Sequence, residues 1–166
     1  MLASLSGQPE TVETNNFMRP VLCLLLIFCL AACEDDQVDL VNEEIRDINE
    51  IVEDQLWTIT YFFDTDREET SNFAGYSFTF QTGGTLQSSN GSEIHTGTWS
   101  VHDSNPDDGS ADHDDISFIL NFDSPEDFEE LSDSWQIITL TNVKIELKHV
   151  SGGNGGTDLL TFERFE

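Results

Sequence analysis

Apolar residues recur along this chain with two different periods. In residues 37–55, QVDLVNEEIRDINEIVEDQ, the residues Val38, Val41, Ile45, Ile48 and Val52 are spaced three, four, three and four apart. That spacing lays one apolar stripe along a helix. An amphipathic helix is therefore expected, either lying against a folded domain or standing as a stalk. Arg46 is placed to pair with Glu43 or Glu50 on its wet side. From Leu56 onward the period falls to two. In LWTITYFF, alternation puts Trp57, Ile59, Tyr61 and Phe63 on one face, and in YSFTF it puts Tyr76, Phe78 and Phe80 together. Similar runs follow in ISFILNF (Ile116, Phe118, Leu120, Phe122), WQIITL, VKIELKHV (Val143, Ile145, Leu147 inward; Lys144, Glu146, Lys148 outward) and LLTFERF.

Turn chemistry separates these runs. Thr85–Ser88 is followed by Asn90-Gly91, a strong two-residue hairpin signal, and then by EIHTGTWSV. Asn142 and its neighbours make a tight turn, and SGGNGG at 151–156 reads as a long one. About eight short strands with turns between them predict an all-β fold, an antiparallel up-and-down barrel or a sandwich. One short helix interrupts the meander. Ser124 is placed as its N-cap, Pro125 at its first position and Asp127 as the acid at its third, with Phe128 and Leu131 as its apolar side. It is expected as a plug across one end.

The beginning of the chain has a different character. Val21 to Cys33 is a run of thirteen residues without a charge. A membrane-spanning helix needs about twenty. Thirteen suits the apolar segment of a secretion signal, with Arg19 ahead of it and the small residues Ala31 and Ala32 at its end. Leu30-Ala31-Ala32-Cys33 resembles the lipobox of bacterial lipoproteins. That resemblance implies cleavage before Cys33 and attachment of diacylglycerol to its thiol. The acids Glu34, Asp35 and Asp36 resemble the export signal of surface lipoproteins in Bacteroidetes-type bacteria. They imply display on the outer face of the outer membrane. The domain plan is then a signal peptide over 1–32, a lipidated acidic tether and helix over 33–55, and a β domain over 56–166.

Charge narrows the partners. The formal net charge is −27, from 33 acids and 6 bases, and only Glu10, Glu13 and Arg19 of these precede Cys33. Such a surface repels phosphates, which bind through Lys and Arg, so no nucleic-acid partner is expected. It also repels anionic headgroups. Attachment to a membrane then falls to acyl chains, of which two hold stably. No cysteine follows Cys33, so the β domain has no disulfide and no thiol chemistry.

The opening Leu56-Trp57 strand, the Tyr76–Gly84 hairpin region with FTF and GG, TGTWSV at 96–101 and the closing IELKHVSGGNGGTDLLTF resemble the lipocalin-like lipoproteins of Bacteroidetes. The resemblance covers roughly residues 55–166. It implies a lipocalin-like β-barrel and carries no catalytic motif. A barrel of about eight strands is just wide enough to be filled by side chains or to hold one small ligand.

Candidate chemistry follows from these expectations. Trp57, Tyr61, Trp99 and Trp135 either line a cavity for a small apolar or glycan ligand or fill the barrel. In HDSNPDDGSADHDD, residues 102–115, Asp103, Asn105 and Asp107 alternate like the start of a calcium loop, with Asp112 and Asp114 within reach. Asp108 stands where such a loop needs glycine, and the stretch reads first as a solvated acidic turn. His102 and His113 offer a weaker zinc pairing. No Ser-His-Asp spacing, phosphate-cradling glycine loop or HExxH appears, and a non-enzymatic role is expected. The first expectation is a non-catalytic binding module for a small apolar or glycan ligand, and the alternative is a solid-packed interaction protein of the envelope or a calcium-stabilised domain. Glu10 and Glu13, with no base beside them, suit a signal peptide badly. Translation is therefore expected to start at Met18, and substituting Met18 should abolish expression on an immunoblot.

Overall fold

The computed structural model describes residues 35–105, 115–151 and 156–165. Helix α1 spans Asp35–Val52. The strands are β1 (Leu56–Asp64), β2 (Arg67–Glu68), β3 (Ser77–Gln81), β4 (Thr85–Ser89), β5 (Ile94–Asp103), β6 (Ile116–Asn121), β7 (Ser134–Thr141), β8 (Lys144–Val150) and β9 (Thr157–Arg164). A 3-10 turn covers Thr70–Phe73, and helix α2 covers Glu126–Glu129. All strand pairings are antiparallel, each strand from β3 onward pairs with the next, and β1 joins both β3 and β9. The result is a closed up-and-down barrel of eight strands, with β2 as a short extra strand on β1.

Alternation explains most of the interior. Phe78 and Phe80 on β3, Phe118 and Leu120 on β6, Ile145 and Leu147 on β8, and Leu160 and Phe162 on β9 are all buried. Their rings meet edge to face, with Phe80 5.6 Å from Phe118 and 5.5 Å from Phe162 between centroids. That is the arrangement that aromatic quadrupoles favour.

β1 departs from simple alternation. Its pairing with β9 shifts register between Ile59 and Tyr61. A bulge of this kind switches the faces of everything beyond it. Trp57 and Ile59 face the core as expected, but the next inward residue is Phe62. Tyr61 and Phe63, expected inside, lie outside and stack on each other at 6.5 Å. Val143, also expected inside, sits in the two-residue turn between β7 and β8 and is exposed. The turn after β4 is longer than the two residues expected. Ser89 pairs with Ile94, and the Asn90 side chain accepts hydrogen bonds from the Ser92 and Glu93 backbone N–H groups. An Asx turn thus sets the loop length.

Both ends of the barrel are closed. At the end where β1 begins, the last turns of α1 pack inward. Ile48 and Val52 are buried, the Trp57 indole N–H donates to the Val52 carbonyl, and Asp54 N–H donates to Phe80 O. The last turns of the helix, from Ile45 to Val52, therefore pack against the barrel, while Leu40 nearer its start is exposed. The helix stops at Val52, earlier than expected, because Asp54 turns into the left-handed region at φ 56°. At the opposite end, Phe73 from the 3-10 turn meets Phe128 from α2 at 5.4 Å, and Phe128 also packs on Tyr76 and Phe122. The plug is where it was expected, but its cap is not. Pro125, in extended backbone, takes the N-cap position without a side-chain cap bond, and Ser124 does not cap the helix.

Gly97 on β5 is a required glycine. A Cβ there would stand 2.3 Å from Asn121 O and 2.8 Å from the Phe122 ring. Gly97→Ala should destabilise the fold by about 1–3 kcal/mol, the usual cost of overpacking a filled site. A urea melt with an unchanged midpoint would refute this.

Candidate functional site

The four aromatics expected around a ligand separate in the structure. Trp57, Trp99 and Trp135 are buried, and each indole N–H is used internally, donating to the carbonyls of Val52, Gln81 and Leu131. Tyr61 lies on the outer wall. The structure therefore does not bring the four together around one space. Among the described residues, one concave surface of about 500 Å³ runs between α1 and the β7–β8 turn and is lined by Asp47, Glu50, Ile51, Gln55, Asn142 and Arg164. Another, of about 240 Å³, lies where Asn49 and Glu53 of the α1 end meet Gly83 and Gly84, and reaches the buried Trp99 and Val101.

The acidic loop joins β5 to β6 at the α1 end. Asp103 accepts a 2.8 Å hydrogen bond from the Asn105 backbone N–H, and Ser104 bonds to the Asp115 carbonyl. Asp107, Asp112, Asp114 and His113 lie outside the described residues, as do Cys33 and Glu34. Asp35 and Asp36 form the first turn of α1. His102 is exposed.

A different acidic group, not anticipated from spacing, forms at the other end. β1 ends at Asp64, and a two-residue turn leads to Arg67. Thr65 in that turn has φ 52°, a strained value for a β-branched residue. It is held by Asp158, which accepts hydrogen bonds from its N–H (2.8 Å) and its hydroxyl (3.1 Å). Gly156 allows the close approach, since a Cβ there would stand 2.7 Å from the Thr65 methyl. The turn thus anchored, the chain folds back. Glu69 N–H donates to Phe62 O, and Phe62 N–H donates to the Thr70 hydroxyl. This geometry drives the Glu69 side chain inward, to 5% exposure. Glu130, immediately after α2, reaches the same place, and α2 is tied down by the 3.1 Å bond from Asn72 to Asp127.

Asp64, Glu69 and Glu130 each offer a carboxylate oxygen, and the three lie within 4.8 Å of one another. Glu69 pairs with Arg67 through Oε1. Its Oε2 is buried with no N–H or hydroxyl donor in reach, which leaves the Glu130 carboxyl, when protonated, to donate to Glu69. Leaving a buried acceptor unmade costs about 1–3 kcal/mol. The crowding shows in the acidities. A hydrogen bond with Glu69, then burial, then the charges of Glu69, Asp64 and Asp127 push the Glu130 carboxyl up to about 7. Asp64 is also raised, first by burial and then by the charges of Asp158 and Glu69, against the lowering influence of a hydrogen bond from Thr65. A second group stands beside it, made of Asp133, His149 and Asp158. There His149 Nδ1 is 2.8 Å from Asp133 and 3.1 Å from the Ser134 carbonyl, and the ring packs on Trp135. Its members are already partnered.

This arrangement can hold a proton or a hard cation. It contains no nucleophile paired with a base. Comparison with protein-family models, curated proteins and solved structures finds no match for the chain. Among the described residues, no helix is long and apolar enough to cross a membrane.

The raised Glu130 carboxyl has a consequence for stability. The folded chain binds that proton more tightly than the unfolded chain does, so its contribution is present below the ordinary value of 4.5 and is lost as pH rises to about 7. In metal-free buffer, the melting temperature of the native chain should fall relative to Glu130→Gln across that window and run parallel to it above. A constant difference between the two melting curves would refute the shared proton.

Proposed function

We propose that this chain is a lipid-anchored outer-membrane protein, held by Cys33 and displayed on the cell surface, whose barrel is a solid scaffold for non-catalytic interactions in the envelope. The anchor reading is supported by Leu30-Ala31-Ala32-Cys33 at the end of an uncharged run and by the acids that follow. It suits the charge of −27, since a surface so acidic gains nothing from anionic headgroups and needs acyl chains to stay on a membrane.

The choice of scaffold over ligand cup rests on one observation. The inward positions of the barrel carry large side chains in mutual contact, with Trp57, Phe78, Phe80, Phe118, Leu120, Ile145 and Phe162 all at most 1% exposed. A ligand pocket is normally a hollow with a few convergent polar groups. Here the indole N–H groups that would greet a ligand are spent on backbone carbonyls. What such a protein offers a partner is its acidic outer wall and its two closed ends.

Two measurements test this together. An alkyne-tagged palmitate fed to cells should label the protein, and Cys33→Ser should abolish the label. Intrinsic tryptophan fluorescence should stay unchanged across a library of apolar and sugar ligands. A saturable shift would mean that the interior opens, and an unlabelled native protein would remove the anchor.

A further inference from the structure

We propose that Asp64, Glu69 and Glu130 form a binding site for a calcium-class divalent cation, which ties the β1–β2 hairpin to the α2 plug. The proposal is independent of the lipid anchor and of what the outer wall meets. Its three ligands come from three separate segments: the end of β1, the residue before the 3-10 turn and the residue after α2. Their oxygens lie within 4.8 Å of one another. A cation at about 2.3–2.6 Å from each, the calcium–oxygen range, reaches all three.

Acidic residues gather on many surfaces of this chain without forming a site. This group differs in Glu69. It is 5% exposed, one of its oxygens is taken by Arg67, and the other is buried with no N–H or hydroxyl donor. Buried acceptors are nearly always satisfied. A neighbouring carboxylate donates only while it holds a proton, and Arg67 offers one positive charge against three negative ones. Once that proton is lost, a metal ion supplies both the partner and the charge.

The donor set selects the class of ion. Three carboxylates, with no sulfur or imidazole among them, suit hard cations over zinc or copper. Calcium tolerates irregular shells of six to eight oxygens, whereas magnesium demands near-octahedral geometry. Glu130 is exposed, so the open side of the shell faces water, which can complete it. The site lies at the opposite end of the barrel from Asp103 and Asn105, in a stretch with no calcium-loop spacing at all.

The bound ion would hold together the segments that carry Phe73 and Phe128, whose rings meet at 5.4 Å. Calorimetric titration of calcium chloride, and separately of magnesium chloride, into the chelator-stripped full chain tests the assignment. Saturable calcium binding is expected, with weaker magnesium binding and a melting temperature that rises with calcium. Glu69→Gln and Glu130→Gln should each weaken calcium binding roughly tenfold or more. Glu130→Gln alters an exposed side chain and keeps the test valid if Glu69→Gln does not fold. Asp103→Asn should leave the binding in place. Absence of calcium heat would assign the group to a shared proton alone. Unchanged binding in Glu130→Gln, or loss of binding in Asp103→Asn, would place any calcium elsewhere. Any of these results overturns the proposal.

Discussion

An eight-stranded barrel encloses a space about one layer of side chains deep, and everything else in this structure follows from filling it. Phenylalanine and tryptophan do most of the filling. Phe80 alone meets Trp99, Phe118 and Phe162, each at an angle near perpendicular and with centroids 5.3–5.6 Å apart. With no cysteine after Cys33, this packing carries the cohesion that a disulfide would otherwise share. It also sets the tolerance of the wall. Gly97 stands where the wall passes closest to Phe122, and no larger residue fits there.

Closing the barrel creates a problem at β1, which must pair with β9 along most of its length and with β3 only at Leu56 and Trp57. Beyond Trp57 the sheet leaves a gap between β1 and β3. The segment from Arg67 to Tyr76 fills it, with its backbone bonded to Phe62 and Phe73 driven into the core. The bulge between Ile59 and Tyr61 lets Phe62 meet Phe73 at 5.6 Å. Drawing that segment inward also buries Glu69. The acidic cluster is thus a by-product of how the seam is sealed, and the sealing places a carboxylate where it needs a proton or a cation.

The two ends of the molecule then differ in kind. The α1 end is closed by an apolar helix face and a row of backbone bonds. The α2 end is closed by aromatic rings under a rim of acids that includes Asp64, Glu69, Asp127 and Glu130. Stability at the second end is tied to solution conditions through that rim, whereas the barrel wall depends on apolar contacts that pH does not touch. A barrel built this way keeps its scaffold constant and exposes one responsive end.

Periodicity alone determined the fold class, because a barrel wall must alternate and a packing helix must show a stripe. Phe78, Phe80, Phe118, Leu120, Ile145 and Leu147 face inward as their spacing requires, and Ile48 and Val52 face the core from α1. Local chemistry also marked the Asn142 turn and the hairpin at 151–156, where Val150 pairs with Thr157. The outward turn of Tyr61 and Phe63 was not legible, since a bulge depends on the partner strand and leaves no mark in the pattern of its own strand. Nor was the rim. Asp64, Glu69 and Glu130 are far apart in sequence and lie among many other acids, and only the closing of β1 onto β9 and the docking of α2 bring them within reach of one ion. Alternation is a property of neighbouring residues, but a site made from three segments exists only after the chain has closed on itself.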